Sequence, residues 1–64
     1  MTPDELKAAR LAMGLSQAKL AKELGVDRQA VYRWEKGLHP ISQTISILMT
    51  LIDFRNQVQQ RRNY

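Results

Sequence analysis

The chain has 64 residues, 44% of them hydrophobic, and no Cys, so we expect one domain whose thin core is supplemented by dimerisation rather than by disulfides. No apolar run approaches bilayer length and no signal peptide is visible, which excludes a membrane-spanning class and predicts a cytoplasmic protein. Ten Lys and Arg against six Asp and Glu give a net charge of +4, which favours nucleic acid but also suits an anionic membrane or an acidic protein.

The first predicted helix begins with a capping box. Thr2 and Glu5 stand at the right spacing, with Pro3 at the first helical position. The helix is expected to run from Pro3 to Met13 and to stop at Gly14. Its apolar positions share the spacing of a single buried face: Leu6, Ala9 and Met13.

Two short helices joined by a tight turn are predicted between Ser16 and Gly37. Ser16 caps the first, and Gly25 ends it as a left-handed residue. Asp27 caps the second, and Gly37 closes it in the same way. Helices this short must share a core with the flanking segments. The apolar residues expected in that core are Leu20, Leu24, Val31 and Trp34.

After a loop that contains Pro40, Ser42 is expected to cap a fourth helix with two apolar stripes. One stripe suits packing on the preceding helices: Ile41, Ile45, Leu48 and Ile52. The other is a candidate dimer or partner interface: Ile47, Leu51, Phe54 and Val58. Alternatively, a break near Asp53 folds the remainder back as a fifth helix over the same core. In either case residues 1–56 are expected to form the DNA-binding domain, including the dimerisation surface on the C-terminal helix, and residues 57–64 to be a polar basic tail or a helical extension.

Eight positions in the two short helices between Ser16 and Gly37 together resemble the helix-turn-helix of the lambda-type repressor and Cro family. They are Gln17, Leu20, Ala21, Gly25, Val26, Val31, Trp34 and Glu35. The resemblance covers roughly Thr2 to Leu51 and implies an all-α, compact four- to five-helix lambda-repressor-like domain with a central helix-turn-helix. It also implies a nucleoid-associated protein of prokaryotic or phage origin. The chain departs from the family's pattern after the fourth helix, which a distinct fifth commonly follows.

The resemblance implies that the second helix of the motif enters the major groove of double-stranded DNA. The residues expected to read bases are Asp27, Arg28, Gln29 and Arg33. Arg28 suits the O6 and N7 of guanine, and Gln29 suits the N6 and N7 of adenine. Asp27 has capping of its own helix as the competing role. Arg33 could reach either a second guanine or a phosphate.

Other positions are expected to bind DNA phosphates. Gln17 opens the second helix, where free amides form an anion site, and the family uses the matching position in this way. Tyr32 could touch a thymine methyl or a phosphate, or be a plain surface residue. The full set of candidates is Ser16, Gln17, Lys19, Tyr32, Lys36 and Gly37, with the amide of Leu38 beside them.

The family also pairs an Arg of the first helix with a Glu at the end of the recognition helix, which here implies an ion pair between Arg10 and Glu35. The competing interpretation is an exposed Arg10 whose surface pair is worth about 0 to 1 kcal/mol. Neither residue suggests catalysis. We expect no enzyme, cofactor or metal, because His39 is the only His and lies in a Pro-linked loop, and no thiol or converging carboxylates are present.

Together these features predict a sequence-specific transcriptional regulator, a small homodimeric and autoregulating repressor of the Cro type that occupies an inverted-repeat operator. The alternative is an antitoxin-type protein that uses the same DNA-binding unit for autoregulation. In that case, the outer stripe of the fourth helix binds a partner protein. A membrane-surface role for this helix is disfavoured because its basic residues are few and Asp53 interrupts them.

Overall fold

The computed structural model describes residues 1–61, with side chains as far as Gln59, and folds them into four α-helices. Helix α1 spans Pro3–Ala12, α2 spans Gln17–Leu24, α3 spans Arg28–Glu35 and α4 spans Gln43–Arg61. No strand occurs in this part of the chain. The predicted all-helical fold class, with a helix-turn-helix at its centre, is confirmed.

Side chains cap the first three helices where the sequence predicted. The Thr2 backbone N–H donates to Glu5 Oε1 at 2.7 Å, and the Glu5 N–H donates to Thr2 Oγ1 at 3.1 Å. The backbone N–H and the hydroxyl group of Thr2 both lower the pKa of the Glu5 side chain, because hydrogen bonds to a carboxylate stabilise its charged form. Ser16 and Asp27 each accept a bond from a backbone N–H three residues on, at 3.1 and 2.9 Å. Such caps satisfy amides that have no partner inside the helix.

The turn between α2 and α3 depends on a left-handed glycine. Gly25 has φ +75°, a conformation that side-chain-bearing residues rarely adopt. This bend lets the Val26 N–H donate back to the Ala21 carbonyl oxygen at 2.9 Å. The chain therefore leaves α2 and reaches the cap of α3 at Asp27 within three residues.

One apolar core lies between the four helices, because α2 packs on α3 while α1 and α4 close the sides. Its buried residues are Leu6, Met13, Leu20, Ala21, Leu24, Val31, Ile45 and Met49. The largest fully buried side chains come from all four helices. Half-buried Trp34 packs against this core from α3. The sequence analysis missed Met49, which is 1% exposed.

Helix α4 continues without interruption to Arg61, so the predicted alternative of a break near Asp53 and a fifth helix is wrong for the described residues. Two contacts support the continuous helix at this point. Gln57 Nε2 donates to Asp53 Oδ2 at 3.0 Å within one turn, and Arg55 Nη2 donates to Glu23 Oε2 of α2 at 2.8 Å. The predicted tail is thus helical over its first five residues, and residues 62–64 lie outside the described chain.

The two stripes of α4 have different surroundings. Ile45 is buried and both Leu48 and Ile52 are half-buried on the core side. The outer stripe is exposed, with fractions of 51% for Ile47, 59% for Leu51, 66% for Phe54 and 36% for Val58. None of the four helices, as far as Arg61, has the length and apolar character needed to cross a membrane.

Candidate nucleic-acid interface

The surface of α3 is set by its helical period. Val31 is fully buried and Trp34 half-buried, so this side faces the core. Arg28, Gln29 and Arg33 fall on the other side and are exposed. The helix has eight residues and packs against α2 and α1. It therefore presents a narrow polar surface of the size that a major groove admits.

The exposed polar side chains of α3 are Arg28, Gln29, Tyr32 and Arg33. Within the side chains that the structure describes, no hydrogen bond or ion pair engages Arg28, Gln29 or Arg33. Together they offer the forked guanidinium and amide geometry that suits base edges. The structure places Arg28 and Gln29 around a shallow depression with Tyr32, which is 42% exposed.

Asp27 differs from its neighbours because it already has a structural role. Its Oδ1 accepts the Ala30 N–H at 2.9 Å and so caps α3. The residue is exposed, and its base-reading role stays a prediction. The cap fixes the first turn of α3, the turn from which Arg28 and Gln29 project.

A buried ion pair attaches the end of α3 to α1. Arg10 Nε donates to Glu35 Oε2 at 2.6 Å and its Nη2 donates to Glu35 Oε1 at 3.2 Å. The two side chains are only 10% and 4% exposed. The remaining Arg10 nitrogen, Nη1, donates to the Leu15 carbonyl oxygen at 2.9 Å. The residues that the resemblance led us to pair are thus in two-pronged contact, away from solvent.

Gln17 joins this ion pair from the start of α2. Its Nε2 donates to Glu35 Oε1 at 3.1 Å, so α1, α2 and α3 meet at one carboxylate. Burial raises the pKa of Glu35, but hydrogen bonds from Arg10 and Gln17, with the positive charges of Arg10 and Lys7, outweigh burial and lower the pKa overall. Glu35 is therefore held as a carboxylate. The arrangement fixes how α3 sits against the helix that precedes it.

The sequence analysis missed this role of Gln17, although the pattern contained a signal for it. Gln17 stands three, four and seven residues before Leu20, Ala21 and Leu24, which are the buried residues of α2. It therefore belongs to the buried stripe and not to the solvent face. Its half-buried side chain leaves one amide hydrogen uncommitted, so phosphate binding by Gln17 stays a prediction.

The other candidate phosphate ligands differ in how free their donors are. The Gly37 N–H already donates to the Trp34 carbonyl oxygen at 3.2 Å, and the Leu38 N–H to that of Arg33 at 2.9 Å. Ser16 Oγ accepts the Lys19 N–H as a cap. A phosphate would have to compete with both amide bonds. The ammonium groups are better placed to bind one.

Lys19 and Lys36 are exposed, the first in the opening turn of α2 and the second just after α3. Lys36 Nζ lies 5.8 Å from the centre of the Tyr32 ring, within the range of a cation–π contact. Within Arg28–Glu35 the exposed charges are those of Arg28 and Arg33, because Glu35 is buried against Arg10, while the capping carboxylate of Asp27 is an exposed negative charge before them. Such a surface, on which positive charges outnumber the negative one, attracts a polyanion.

Comparison with known proteins agrees with this geometry. A family model described as helix-turn-helix matches residues 6–51, from the buried face of α1 into the middle of α4. No curated protein and no solved structure matches the chain. The matched region includes α2, α3 and the whole Arg10, Gln17 and Glu35 contact.

Proposed function

Because this chain belongs to the helix-turn-helix family of DNA-binding regulators related to lambda repressor and Cro, we propose that it is a sequence-specific transcriptional regulator that reads an operator through α3. The observation that carries the proposal is the exposed set of Arg28, Gln29 and Arg33, which have no hydrogen-bond or ion-pair partner among the described side chains. A helix that needed only to be soluble would more often pair such charges with acids. The family is one of DNA-binding regulators and not of enzymes.

Base readout is assigned to the first turns of α3. Arg28 forks onto a guanine and Gln29 onto an adenine, and each bidentate pair contributes about 1 to 3 kcal/mol of discrimination. Arg33 stands one turn after Gln29 and reaches a second guanine or a phosphate. The buried contact of Glu35 with Arg10 and Gln17 supports this assignment, because it keeps α3 at a fixed angle to the rest of the domain.

Phosphate contacts position the domain and make binding salt-dependent. Lys19 and Lys36 are the principal ligands, with Ser16 and Gln17 at the start of α2 and Tyr32 beside Lys36. About six phosphate contacts in a dimer give a slope of log affinity against log salt near −5.

Two copies bind an inverted repeat, with their α3 helices in successive major grooves about 34 Å apart. The outer stripe of α4 joins the copies. Repression then follows from occupancy of a promoter, including the regulator's own. The antitoxin alternative assigns the same stripe to another protein. Sedimentation of the operator complex separates them, since the regulator places two copies on DNA without any other protein.

Selection of bound sequences from random duplexes tests the proposal. The wild type should yield a defined half-site repeated in inverted orientation. Gln29→Ala should relax one base position, at a cost of about 1 to 3 kcal/mol against the preferred base. Lys36→Ala is the control, because loss of a phosphate contact weakens all sequences alike and reduces the salt slope by about one.

If Arg28→Ala and Gln29→Ala leave the selected sequences unchanged, the base-reading assignment is wrong even where DNA binding persists. If the salt response is flat, the phosphate contacts and the whole orientation on DNA are wrong.

A further inference from the structure

A shallow depression between Arg28, Gln29 and Tyr32 is part of the surface that α3 presents. Tyr32 stands four residues after Arg28 and three after Gln29, so the three side chains are neighbours on one face of the helix. Tyr32 is 42% exposed. Its ring therefore adds apolar surface beside two polar groups that suit base edges.

The position of Lys36 indicates which part of the Tyr32 ring borders the depression. Lys36 comes from the turn after Tyr32, and its Nζ lies 5.8 Å from the centre of the ring. Arg28 and Gln29 come from the turn before. Along the helix, the ring thus lies between an ammonium group that suits a phosphate and a depression with different surroundings.

The charges around the depression favour an uncharged occupant. The exposed carboxylate of Asp27 stands immediately before Arg28 and offsets its charge, so a phosphate is less favourable here than on the Lys36 side of the ring. The apolar group that base edges present in the major groove is the C5-methyl group of thymine, and aromatic side chains can contact it. In 5-methylcytosine the same group occupies the same ring position.

We propose that the depression between Arg28, Gln29 and Tyr32 binds the C5-methyl group of a pyrimidine, in a base pair adjacent to the guanine that Arg28 contacts. The inference rests on the proposed function and adds to it a further base contact, made by the ring of Tyr32. A guanidinium group that forks onto guanine lies in the plane of that base, so its face is turned toward the next base pair. The methyl group of that pair fits between the guanidinium face and the aromatic ring.

The test removes or adds one methyl group on the DNA and changes one side chain on the protein. Starting from the half-site selected by the wild type, each thymine is replaced in turn by uracil and each cytosine by 5-methylcytosine. Every base pair contains one pyrimidine, so the series covers the whole half-site, and each comparison changes only a methyl group. Affinities are measured for the wild type, Tyr32→Ala and Tyr32→Phe, of which the last keeps the ring and removes the hydroxyl group.

At a base pair beside the guanine whose position Arg28→Ala relaxes, the methylated pyrimidine should bind the wild type about four-fold more tightly than its unmethylated counterpart. This is the factor expected for burial of one group of that size. The pyrimidine present at that position identifies thymine or 5-methylcytosine as the source of the methyl group. Tyr32→Phe should keep the factor even if it weakens binding to all duplexes alike, and Tyr32→Ala should reduce it to below about two-fold.

Because each factor is a ratio measured with one protein, a general loss of affinity or stability in a variant cancels. Equal affinities throughout the series, or a four-fold factor that persists in Tyr32→Ala, would overturn the inference. Loss of the factor in Tyr32→Phe would also overturn it, because the contact would then belong to the hydroxyl group. Failure of the wild type to select any sequence would instead overturn the proposed function.

Discussion

The first three helices and the outer face of α4 use apolar residues in different ways. In α1 to α3, short helices meet around Leu6, Leu20 and Val31, each of which is 0% exposed. On the outer face of α4, Leu51 and Phe54 are more than half exposed. The first arrangement gives the single chain its shape. The second contributes nothing to that shape, so it remains available for contact with another molecule.

Folding and assembly are therefore separable in this protein, and α4 is the element that serves both. Its inner face completes the core through Ile45 and Met49, while its outer face is not covered by the described part of the chain. The same substitution, made once in the core and once on the outer face of α4, should therefore change the free energy of unfolding by different amounts. The largest difference should come from leucine.

Replacement of Leu20 by Ala should destabilise the monomer by about 2 to 5 kcal/mol, because it removes buried methyl groups and leaves a cavity in the core. The matched change Leu51→Ala should alter the free energy of unfolding by no more than about 0.5 kcal/mol, since Leu51 is exposed. Urea denaturation of the dilute free proteins measures both. Equal losses would mean that the outer face of α4 is already covered in the free protein.

Loss of an ion pair should likewise cost more stability when the pair is buried than when it is exposed. Arg10→Met leaves the Glu35 carboxylate buried without its cation and should cost about 3 kcal/mol. Arg55→Met breaks the exposed pair with Glu23, whose side chains are 55% and 39% exposed, and should cost about 0 to 1 kcal/mol. The shift in urea midpoint at constant slope reports each value. A cost for Arg55→Met equal to that of Arg10→Met would show that burial does not set the strength of these pairs.

Substitution by alanine should lower the melting temperature when it is made in the turn between α2 and α3 but not when it is made at an exposed position of α4. Gly25→Ala places a side chain at φ +75°, with no heavy atom within 4 Å of the new Cβ, so the cost is conformational and about 1 kcal/mol. Gln59→Ala is the control, because Gln59 is exposed in α4 and Ala favours helices. Thermal unfolding should show a lower melting temperature for the first variant alone. An unchanged Gly25→Ala would mean that the turn can relax without the left-handed residue.

The same contrast explains what could be predicted from the sequence. The starts of α1, α2 and α3 followed from local chemistry, because Thr2, Ser16 and Asp27 cap within three residues of their own position. The sequence pattern left open whether one helix or two follow Ser42, because no Gly or Pro marks a break near Asp53 and the apolar spacing alone does not say whether the last residues fold back on the core.

The two missed residues were missed for different reasons. Met49 and Gln17 both lie on buried stripes at helical spacing, four residues after Ile45 and three before Leu20. The sequence analysis took Leu48 as the core position in α4 and regarded Gln17 as a surface donor. Periodicity already placed Gln17 on the buried stripe of α2, whereas only the packing of neighbouring helices decides which of the adjacent Leu48 and Met49 is fully buried. The base-reading roles of Arg28 and Gln29 stay predictions.

The smallest predicted effect is a pH dependence of the stability that the buried pair of Arg10 and Glu35 contributes. Because the pKa of Glu35 is lowered in the folded protein, its contribution to stability is complete above the ordinary glutamate pKa of about 4.3 and is lost as pH falls through the folded value. In Arg10→Met, burial without the cation raises the pKa of Glu35 instead. Protonation at acidic pH then removes the cost of burying an unpaired carboxylate in this variant.

The difference in unfolding free energy between wild type and Arg10→Met should therefore narrow as pH is lowered below about 5, the region in which glutamates titrate. Glu5, whose pKa is also lowered, is present in both proteins and cancels in the difference. Urea titrations at a series of pH values measure it. Arg55→Met, which removes an exposed pair, is measured alongside as the control for the removal of an arginine charge. A constant difference for Arg10→Met would mean that Glu35 gains its stabilisation from packing and not from the charge of Arg10.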